Sequence, residues 1–221
     1  MTDISSTILT TLGISACAVA ASLPVAVPLA WVLSRRRFFG QVLVEAIIAL
    51  PLVLPPVVTG VFLLLLLGRR GPIGEWLEQT FGVTLLFTPV AAAVAAAVVS
   101  FPLLVRTLRV AFDGVERGLE QAARTCGAGP FTAFFTVTLP AARTGVWMAI
   151  ILAFARAMGE FGATLVVAGT LPGNRRTLPI EIWRQLQSGH FEEAWPLVGA
   201  AAALAFLAVL VGEVVVRRGR Q

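Results

Sequence analysis

Two ionisable residues, Arg156 and Glu160, lie four positions apart in an otherwise apolar stretch of the chain. A helix places residues four apart on one face, so the two side chains can meet as an ion pair. If the stretch crosses a bilayer, the arginine costs about 2.5–3.5 kcal/mol at the centre, which predicts a role or a partner. The pair is either a structural lock or gate element, or Arg156 supplies positive potential to a passing anion.

Proline interrupts a second apolar stretch, residues 46–67, at Pro51, Pro55 and Pro56. Proline removes helix hydrogen bonds, so this backbone must face protein or water rather than lipid. Broken helices within the bilayer are typical of transport paths, and a simple packing kink is the alternative. The hydroxyl of Thr59 could bind a passing oxyanion or bond a carbonyl that the prolines free.

Glycines flank the first site, because Gly159 and Gly162 lie on either side of Glu160. They permit a bend or a close approach, and together with the ring of Phe161 they predict a narrow gate. The candidate residues of a translocation path or gate are Pro55, Pro56, Thr59, Arg156, Glu160, Phe161 and Thr164.

Residues for covalent or metal chemistry are scarce. The chain has one histidine, His190, and two cysteines, Cys17 and Cys126, which fall in different parts of the predicted topology. We therefore expect no disulfide, metal site or cofactor, and no cluster of His, Asp or Cys suggests a membrane-embedded enzyme. A Walker-type phosphate loop requires lysine, and the chain contains none. Any energy from ATP must therefore enter through another polypeptide.

Apolar helices are the elements that must position these residues. The chain is 57% hydrophobic and 13% charged, whereas about 25% charged residues is usual for soluble proteins. Charge-poor stretches exceed the roughly 20 residues that span a bilayer. We predict an all-α, polytopic membrane protein with one domain, residues 1–221, and a retained first span. The five predicted spans are residues 8–33, 42–67, 88–105, 144–167 and 194–216.

Arginine sets the predicted topology. Every basic residue is an arginine and the net charge is +5; such residues in membrane proteins mostly mark the cytoplasmic side, so nucleic-acid binding is not expected. Five spans put three arginine groups on that side: Arg35, Arg36 and Arg37; Arg106, Arg109, Arg117, Arg124 and Arg143; Arg217, Arg218 and Arg220. The N-terminus is then periplasmic and the C-terminus cytoplasmic. The opposite side holds Arg69, Arg70, Arg175, Arg176 and Arg184.

Two short amphipathic segments, residues 71–82 and 178–187, fall on the periplasmic side. Both predict helices that lie at the membrane surface, with Trp76 and Trp183 as anchors at headgroup depth. Docking of a soluble partner on these helices is compatible with that placement.

The polar segment between the third and fourth spans predicts a helical elbow over residues 113–138. Gly127 and Gly129 end a first helix, and Pro130 opens a second one. The first helix has an apolar stripe at helical spacing: Val115, Leu119, Ala122 and Cys126. Such an elbow holds a fixed angle and can dock into a groove on a cytosolic domain. A connector that lies on the surface without a partner is the alternative.

The elbow resembles a loop of ABC importer permeases with the pattern Glu-Ala-Ala, three residues, Gly, nine residues, Ile, one residue, Leu-Pro. Here the spacing is the same, but Gln121 replaces the glutamate, with Glu120 just before it, and Val137 replaces the isoleucine. In that family the elbow docks on the ATPase. The resemblance implies that contact for Glu120, Gln121, Ala122, Ala123, Gly127, Leu139 and Pro140.

Residues 50–60 and 155–164 are similar to the molybdate permease subunits of such importers. The resemblance implies the type I ABC importer (MetI-like) permease fold in a bacterial inner membrane, as a non-catalytic subunit surrounded by lipid. It also implies three kinds of partner: a second copy, two cytosolic ATPase subunits and a periplasmic oxyanion-binding protein. Sulfate, thiosulfate or tungstate remain alternative cargoes. A secondary anion transporter or channel is a further alternative, but it leaves the elbow unexplained.

Overall fold

A computed structural model describes residues 4–171 and 176–219, and nearly all of this part of the chain is helical. The helices are α1 (Ile4–Arg35), α2 (Gln41–Val53), α3 (Pro56–Leu67), α4 (Pro72–Phe81), α5 (Pro89–Asp113), α6 (Arg117–Thr125), α7 (Pro130–Ala133), α8 (Leu139–Ala141), α9 (Arg143–Met158), α10 (Gly162–Val167), α11 (Leu178–Gln187) and α12 (Phe191–Gly219). A π-helical turn, Phe134–Thr138, joins α7 to α8. Arg175 and Arg220, which entered the topology prediction, lie outside the described residues.

Three of the described helices, α1, α5 and α12, are each long and apolar enough to cross a membrane. They contain the predicted spans 8–33, 88–105 and 194–216, and α5 continues well past the predicted end, to Asp113. Two further pairs qualify only as sharply bent units: α2 with α3, bent by 110°, and the segment Pro130–Ala141 with α9, bent by 76°. The described residues therefore contain three helices that could each cross a membrane, or up to five such units if each bent pair counts as one.

The predicted span 144–167 is wrong as a continuous helix, because α9 ends at Met158 and α10 begins at Gly162. Gly159 closes α9, and the carboxylate of Glu160 then accepts the backbone N–H of Ala163 at 2.9 Å. A side-chain oxygen that binds an N–H in the first turn stabilises a new helix start. The interruption is thus specified locally, although the residues on both sides of it are apolar.

Buried residues form two separate hydrophobic clusters. The first cluster combines residues of α3 and α10 with the first half of α5, for example Leu63, Ala95, Val99, Ala163 and Val167. The second cluster combines α1, the second half of α5, α9 and the elbow, for example Ala30, Leu108, Phe112, Phe134 and Ala153. Much of the second half of α1 belongs to the second cluster, whereas Ile14 and Ala18 belong to the first.

Helix α4 exposes its apolar side chains, as expected for a helix at the membrane surface. Ile73 is 44% exposed, Trp76 57% and Phe81 63%. The ring of Trp76 contacts that of Phe81 edge-on, with centroids 5.6 Å apart.

Helix α11 differs from that prediction, because one of its faces packs into the fold. Its first N–H, of Leu178, donates to the hydroxyl of Thr11 on α1 at 2.8 Å. Glu181 is fully buried and accepts from Arg184 at 2.6 Å, from Gln185 at 2.9 Å and from Arg176 at 3.3 Å. The hydrogen bond to Glu181 raises the pKa of Arg184. A buried carboxylate is tolerated when charge and hydrogen bonds compensate it. The contact that ties α11 to another element is the bond from Leu178 to Thr11.

Candidate translocation site and elbow

The first part of the candidate path is the break between α2 and α3. Leu54 has an extended backbone and still donates to Leu50 O at 3.0 Å, so α2 ends just before Pro55. Pro55 and Pro56, which lack an N–H, start α3 in a new direction. Both prolines and Val57 are exposed. The break predicted at Pro55 and Pro56 is confirmed. The interruption predicted at Pro51 is wrong, because Pro51 lies inside α2, where the helix continues to Val53.

Thr59 lies in the first turn of α3 and is only 5% exposed. Its hydroxyl oxygen is buried without a hydrogen-bond partner among the described residues. Of the two alternatives for this hydroxyl, a bond to a freed carbonyl is therefore not observed. An unpaired buried hydroxyl is costly, which makes Thr59 a candidate for binding a polar group that enters the site.

Two glycines bring the two helix breaks together. A Cβ atom at Gly60 would lie 2.9 Å from the Cα of Ala163, and one at Gly162 would lie 2.9 Å from the Cβ of Pro56. These distances are shorter than side-chain carbons tolerate, so α3 and α10 cross with their backbones nearly in contact. This contact could not be predicted, because nothing in the spacing of Gly60 indicates which helix approaches it.

The ion pair predicted between Arg156 and Glu160 is present, with Arg156 Nη1 and Glu160 Oε2 3.0 Å apart. The prediction that both lie on one helical face is wrong, since Glu160 falls after α9 and caps α10. The Glu160 side chain is 2% exposed, whereas that of Arg156 is 30% exposed. Both carboxylate oxygens of Glu160 are thus occupied within the chain, and Arg156 keeps an accessible edge.

The remaining two path residues contact neighbouring elements. The ring of Phe161 packs against that of Trp183 on α11, with centroids 5.7 Å apart. Thr164 is 1% exposed, and its hydroxyl donates to the carbonyl of Glu160 at 3.1 Å. Phe161 therefore connects the second break to the buried network of α11, a contact that the sequence analysis missed because Trp183 was expected at the membrane surface.

The elbow has the predicted construction. Helix α6 is followed by Gly127 in the left-handed region, with φ 92°, and Pro130 begins α7. A positive φ is strained for residues other than glycine, which explains the glycine at this turn. Leu139 and Pro140 then form the short α8 that leads into α9.

The apolar stripe of α6 is largely exposed. Leu119, Ala122 and Cys126 are exposed, as is Gln121, whereas Val115, which precedes α6, is buried and Ala123 is half-buried. Glu120 is the residue of α6 that is directed into the protein. The exposed part of the stripe is therefore available to another surface.

Glu120 anchors the elbow to α1. One carboxylate oxygen accepts from Arg35 Nε at 2.9 Å and also from the hydroxyl of Thr138. Arg35 donates in addition to Val115 O at 3.1 Å, and Arg117 donates to Ser34 O at 3.2 Å. Sequence spacing could not reveal these contacts, because Arg35 and Glu120 are 85 positions apart.

Metal-binding and redox groups can be surveyed across residues 4–171 and 176–219. No group of three His, Cys, Asp or Glu side chains there is placed to hold a metal ion. Cys17 and Cys126 are both exposed and unpaired.

A family model, the inner membrane component of binding-protein-dependent transport systems, matches residues 22–218. The chain belongs to this family. Membership in the inner-membrane-component family, together with the apolar helices described above, makes the chain a multi-pass protein of the bacterial inner membrane. The bent spans and the elbow are thus features of a permease subunit, a non-catalytic type of membrane component.

One relative in the inner-membrane-component family is the molybdenum transport system permease protein ModB of Escherichia coli K12. It is 46% identical over 215 residues, which cover 97% of this chain and 94% of the relative. The match therefore includes the elbow and both helix breaks.

Solved structures of ABC importers are similar in fold. The methionine transporter MetNI, in an inward-facing conformation, aligns with a TM-score of 0.71 at 19% identity, covering 98% of this chain and 94% of that chain. A bacterial alginate transporter, in complex with an alginate-bound periplasmic protein, aligns with a TM-score of 0.76 at 16% identity, covering 99% and 80%. At such identities the likeness concerns the fold alone, and it confirms the all-α type I importer permease fold.

Proposed function

We propose that this chain is the permease subunit of an ATP-driven importer that moves molybdate across the inner membrane by alternating access. The observation that carries the mechanism is the exposed break between α2 and α3, at Pro55 and Pro56. The similarity to a molybdenum transport permease supports the choice of cargo.

Non-helical backbone at membrane depth must be covered by protein or by a water-filled passage. The break exposes Pro55, Pro56 and Val57 on the surface of a single chain. A second copy of the chain, with the passage between the two copies, would satisfy this backbone. The exposed break thus supports a homodimer whose path runs past these residues.

The chemistry of the path is electrostatic attraction with few permanent contacts. Arg156 remains positive and partly accessible, while Glu160 fixes its position. Thr59 adds a hydroxyl without an internal partner among the described residues. Phe161 and Thr164 lie on the α10 side of the break between α9 and α10, where they form the proposed gate. Weak contacts suit a conduit, because a tight oxyanion site would retain its cargo.

The elbow is the proposed contact with two cytosolic ATPase subunits. It exposes an apolar surface in which Leu119 is 49% exposed, Phe131 74% and Phe135 62%. Gln121 and Ala122 lie exposed beside this surface, and Gly127 sets the angle between the helices. Glu120 ties the same unit to α1, so a displacement of the elbow reaches the membrane helices. A periplasmic oxyanion-binding protein would deliver the cargo from the opposite side.

Reconstitution tests the proposal as a whole. The chain is combined in vesicles with candidate ATPase and binding-protein subunits, and uptake of labelled molybdate, tungstate and sulfate is measured with and without ATP. We expect ATP-dependent uptake with molybdate preferred. Uptake that persists without ATP would contradict the importer mechanism, and a preference for sulfate would contradict the cargo.

Neutralising Arg156 is expected to slow uptake while ATPase subunits still assemble. Arg156→Gln removes the accessible positive charge of the path, and local fields of this kind raise encounter rates by about tenfold or more. Initial uptake rates and co-purification of the ATPase are the measurements. Arg70→Gln, at an exposed arginine in the loop before α4, serves as the control. Unchanged uptake in Arg156→Gln would exclude a pathway role for this residue.

The native cysteines provide a test of the proposed orientation. Cys126 is exposed in the elbow, whereas Cys17 lines an apolar groove of about 830 Å³ between α1 and α5. With the elbow in the cytoplasm, a membrane-impermeant maleimide should label Cys126 in inside-out vesicles and not in intact spheroplasts. Cys126→Ser identifies the labelled site, and the opposite pattern would reverse the topology.

A further inference from the structure

The turn between α1 and α2 combines adjacent arginines with adjacent phenylalanines. Arg36, Arg37, Phe38 and Phe39 are all exposed, and the side chain of Phe39 is 107% exposed. Gly40, with φ 89°, completes the turn before α2 begins. The topology argument accounts for the arginines, but it does not explain why two large aromatic side chains lie exposed beside them.

These residues border a cavity of about 620 Å³ whose lining carries a positive charge. Four arginines line it, Arg36, Arg37, Arg109 and Arg117, against two acids, Glu45 and Asp113. Arg109 is paired with Glu45 at 2.7 Å and with Asp113 at 3.7 Å. Within the described residues, no ion pair or side-chain hydrogen bond is formed by Arg36 or Arg37, and Arg117 donates only to a backbone carbonyl. Both acids of the cavity are paired with Arg109, so Arg36 and Arg37 place uncompensated positive charge at the turn.

An apolar surface continues directly from the cavity. Helix α2 has no buried residue, and Val42 is 81% exposed, Leu43 65% and Ile47 61%. Phe39 stands at the start of this surface. Aromatic side chains flanked by arginines are typical of the boundary between headgroups and acyl chains. The site therefore offers a cationic pocket to a headgroup and an adjoining apolar strip to hydrocarbon.

We propose that the turn formed by residues 36–40 binds an anionic phospholipid. Arg36 and Arg37 contact the phosphodiester, and an acyl chain lies along Phe39 and the exposed face of α2. A free inorganic anion would use only the arginines and leave the apolar strip unexplained. Basic residues beside a membrane recognise anionic lipids in this way, and the proposal depends only on the membrane location of the chain.

Native mass spectrometry of the full chain, released from nanodiscs that contain phosphatidylglycerol and phosphatidylcholine, tests the proposal. The chain should retain phosphatidylglycerol in preference. The double variant Arg36→Gln/Arg37→Gln should bind it about tenfold to thirtyfold more weakly, whereas Arg36→Lys/Arg37→Lys should keep most of the affinity. The matched control is Arg69→Gln/Arg70→Gln, an exposed arginine pair that no phenylalanine follows in the sequence, which should leave retention unchanged.

Two further measurements distinguish binding of a lipid from binding of other ligands at this site. Phe39→Ser should weaken phosphatidylglycerol retention, and inorganic phosphate or molybdate at millimolar concentration should not displace the lipid. Equal loss in the Arg69/Arg70 control, or displacement by inorganic phosphate, would overturn the proposal. A disulfide between two copies carrying Phe39→Cys would also overturn it, because a second copy would then cover the site.

Discussion

Replacing Glu120 with alanine is expected to abolish coupled transport in the proposed importer while the chain remains in the membrane. The substitution leaves the Arg35 guanidinium, whose side chain is 10% exposed, without its carboxylate, and it frees the Thr138 hydroxyl. Breaking a buried pair by removing one partner costs about 3 kcal/mol. This loss of free energy weakens the contact between α1 and the elbow. Uptake and substrate-stimulated ATP hydrolysis in reconstituted vesicles are the measurements.

Glu116→Ala is the matched control for this prediction. Glu116 precedes α6, is exposed, and its side chain makes no capping hydrogen bond. The Glu116→Ala substitution removes the same charge from the same segment and should leave coupling intact. Glu120→Gln should retain part of the activity, because an amide oxygen can still accept both hydrogen bonds, although it lacks the charge that pairs with Arg35. If Glu120→Ala transported at the wild-type rate, the elbow would not depend on this anchor.

A single methyl group at Gly60 is expected to disrupt the contact between the two helix breaks. In Gly60→Ala the new Cβ would meet the Cα of Ala163 and the Cβ of Val166, each at 2.9 Å. Overpacking of this kind costs about 1–3 kcal/mol, and here backbone rather than a flexible side chain must move. We expect a lower unfolding temperature in detergent and a severe loss of uptake. Gly162→Ala, which meets Pro56, should behave similarly.

The control is Gly199→Ala in α12, where a Cβ has no atom within 4 Å. Alanine is favoured over glycine inside a helix by about 1 kcal/mol, so this variant should be at least as stable as the wild type. The same substitution thus has opposite expected signs at two sites. Equal unfolding temperatures for the two variants would contradict the close crossing of α3 and α10.

Local chain signals were sufficient to predict several elements. The adjacent prolines Pro55 and Pro56 predicted the first break because they remove two successive backbone donors, whereas the single Pro51 is accommodated inside α2. Gly127 and Pro130 predicted the elbow because glycine permits a positive φ and proline fixes φ for the start of a helix. Long apolar runs predicted α1, α5 and α12. In each case the determining interaction lies within a few residues of the signal.

Features that depend on distant partners were not predicted. The inward orientation of Glu120 in α6 depends on Arg35, 85 positions away, and no local pattern indicates that partner. The packing of α11 depends on the bond between Leu178 and Thr11, 167 positions apart. At the second break, Gly159 and Gly162 indicated that a bend was possible, but Glu160 was placed on a continuous helix. Its role at the start of α10 depends on the hydrogen bond from Ala163 to its carboxylate.

The two hydrophobic clusters have a mechanical consequence. We treat the clusters as two packed blocks that meet at a joint. The break at Leu54 lies between Ile48, which packs against the second cluster, and Leu63 of the first, and α9 passes from the second cluster to the first between Ala153 and Ala157. Of the helices that contribute to both clusters, α1 and α5 run furthest through the joint, and α5 carries Pro102 there. A force at the elbow can therefore tilt one block on the other, with each block keeping its own packing. Substitutions within a block should affect stability first, whereas substitutions at the joint should affect the tilt.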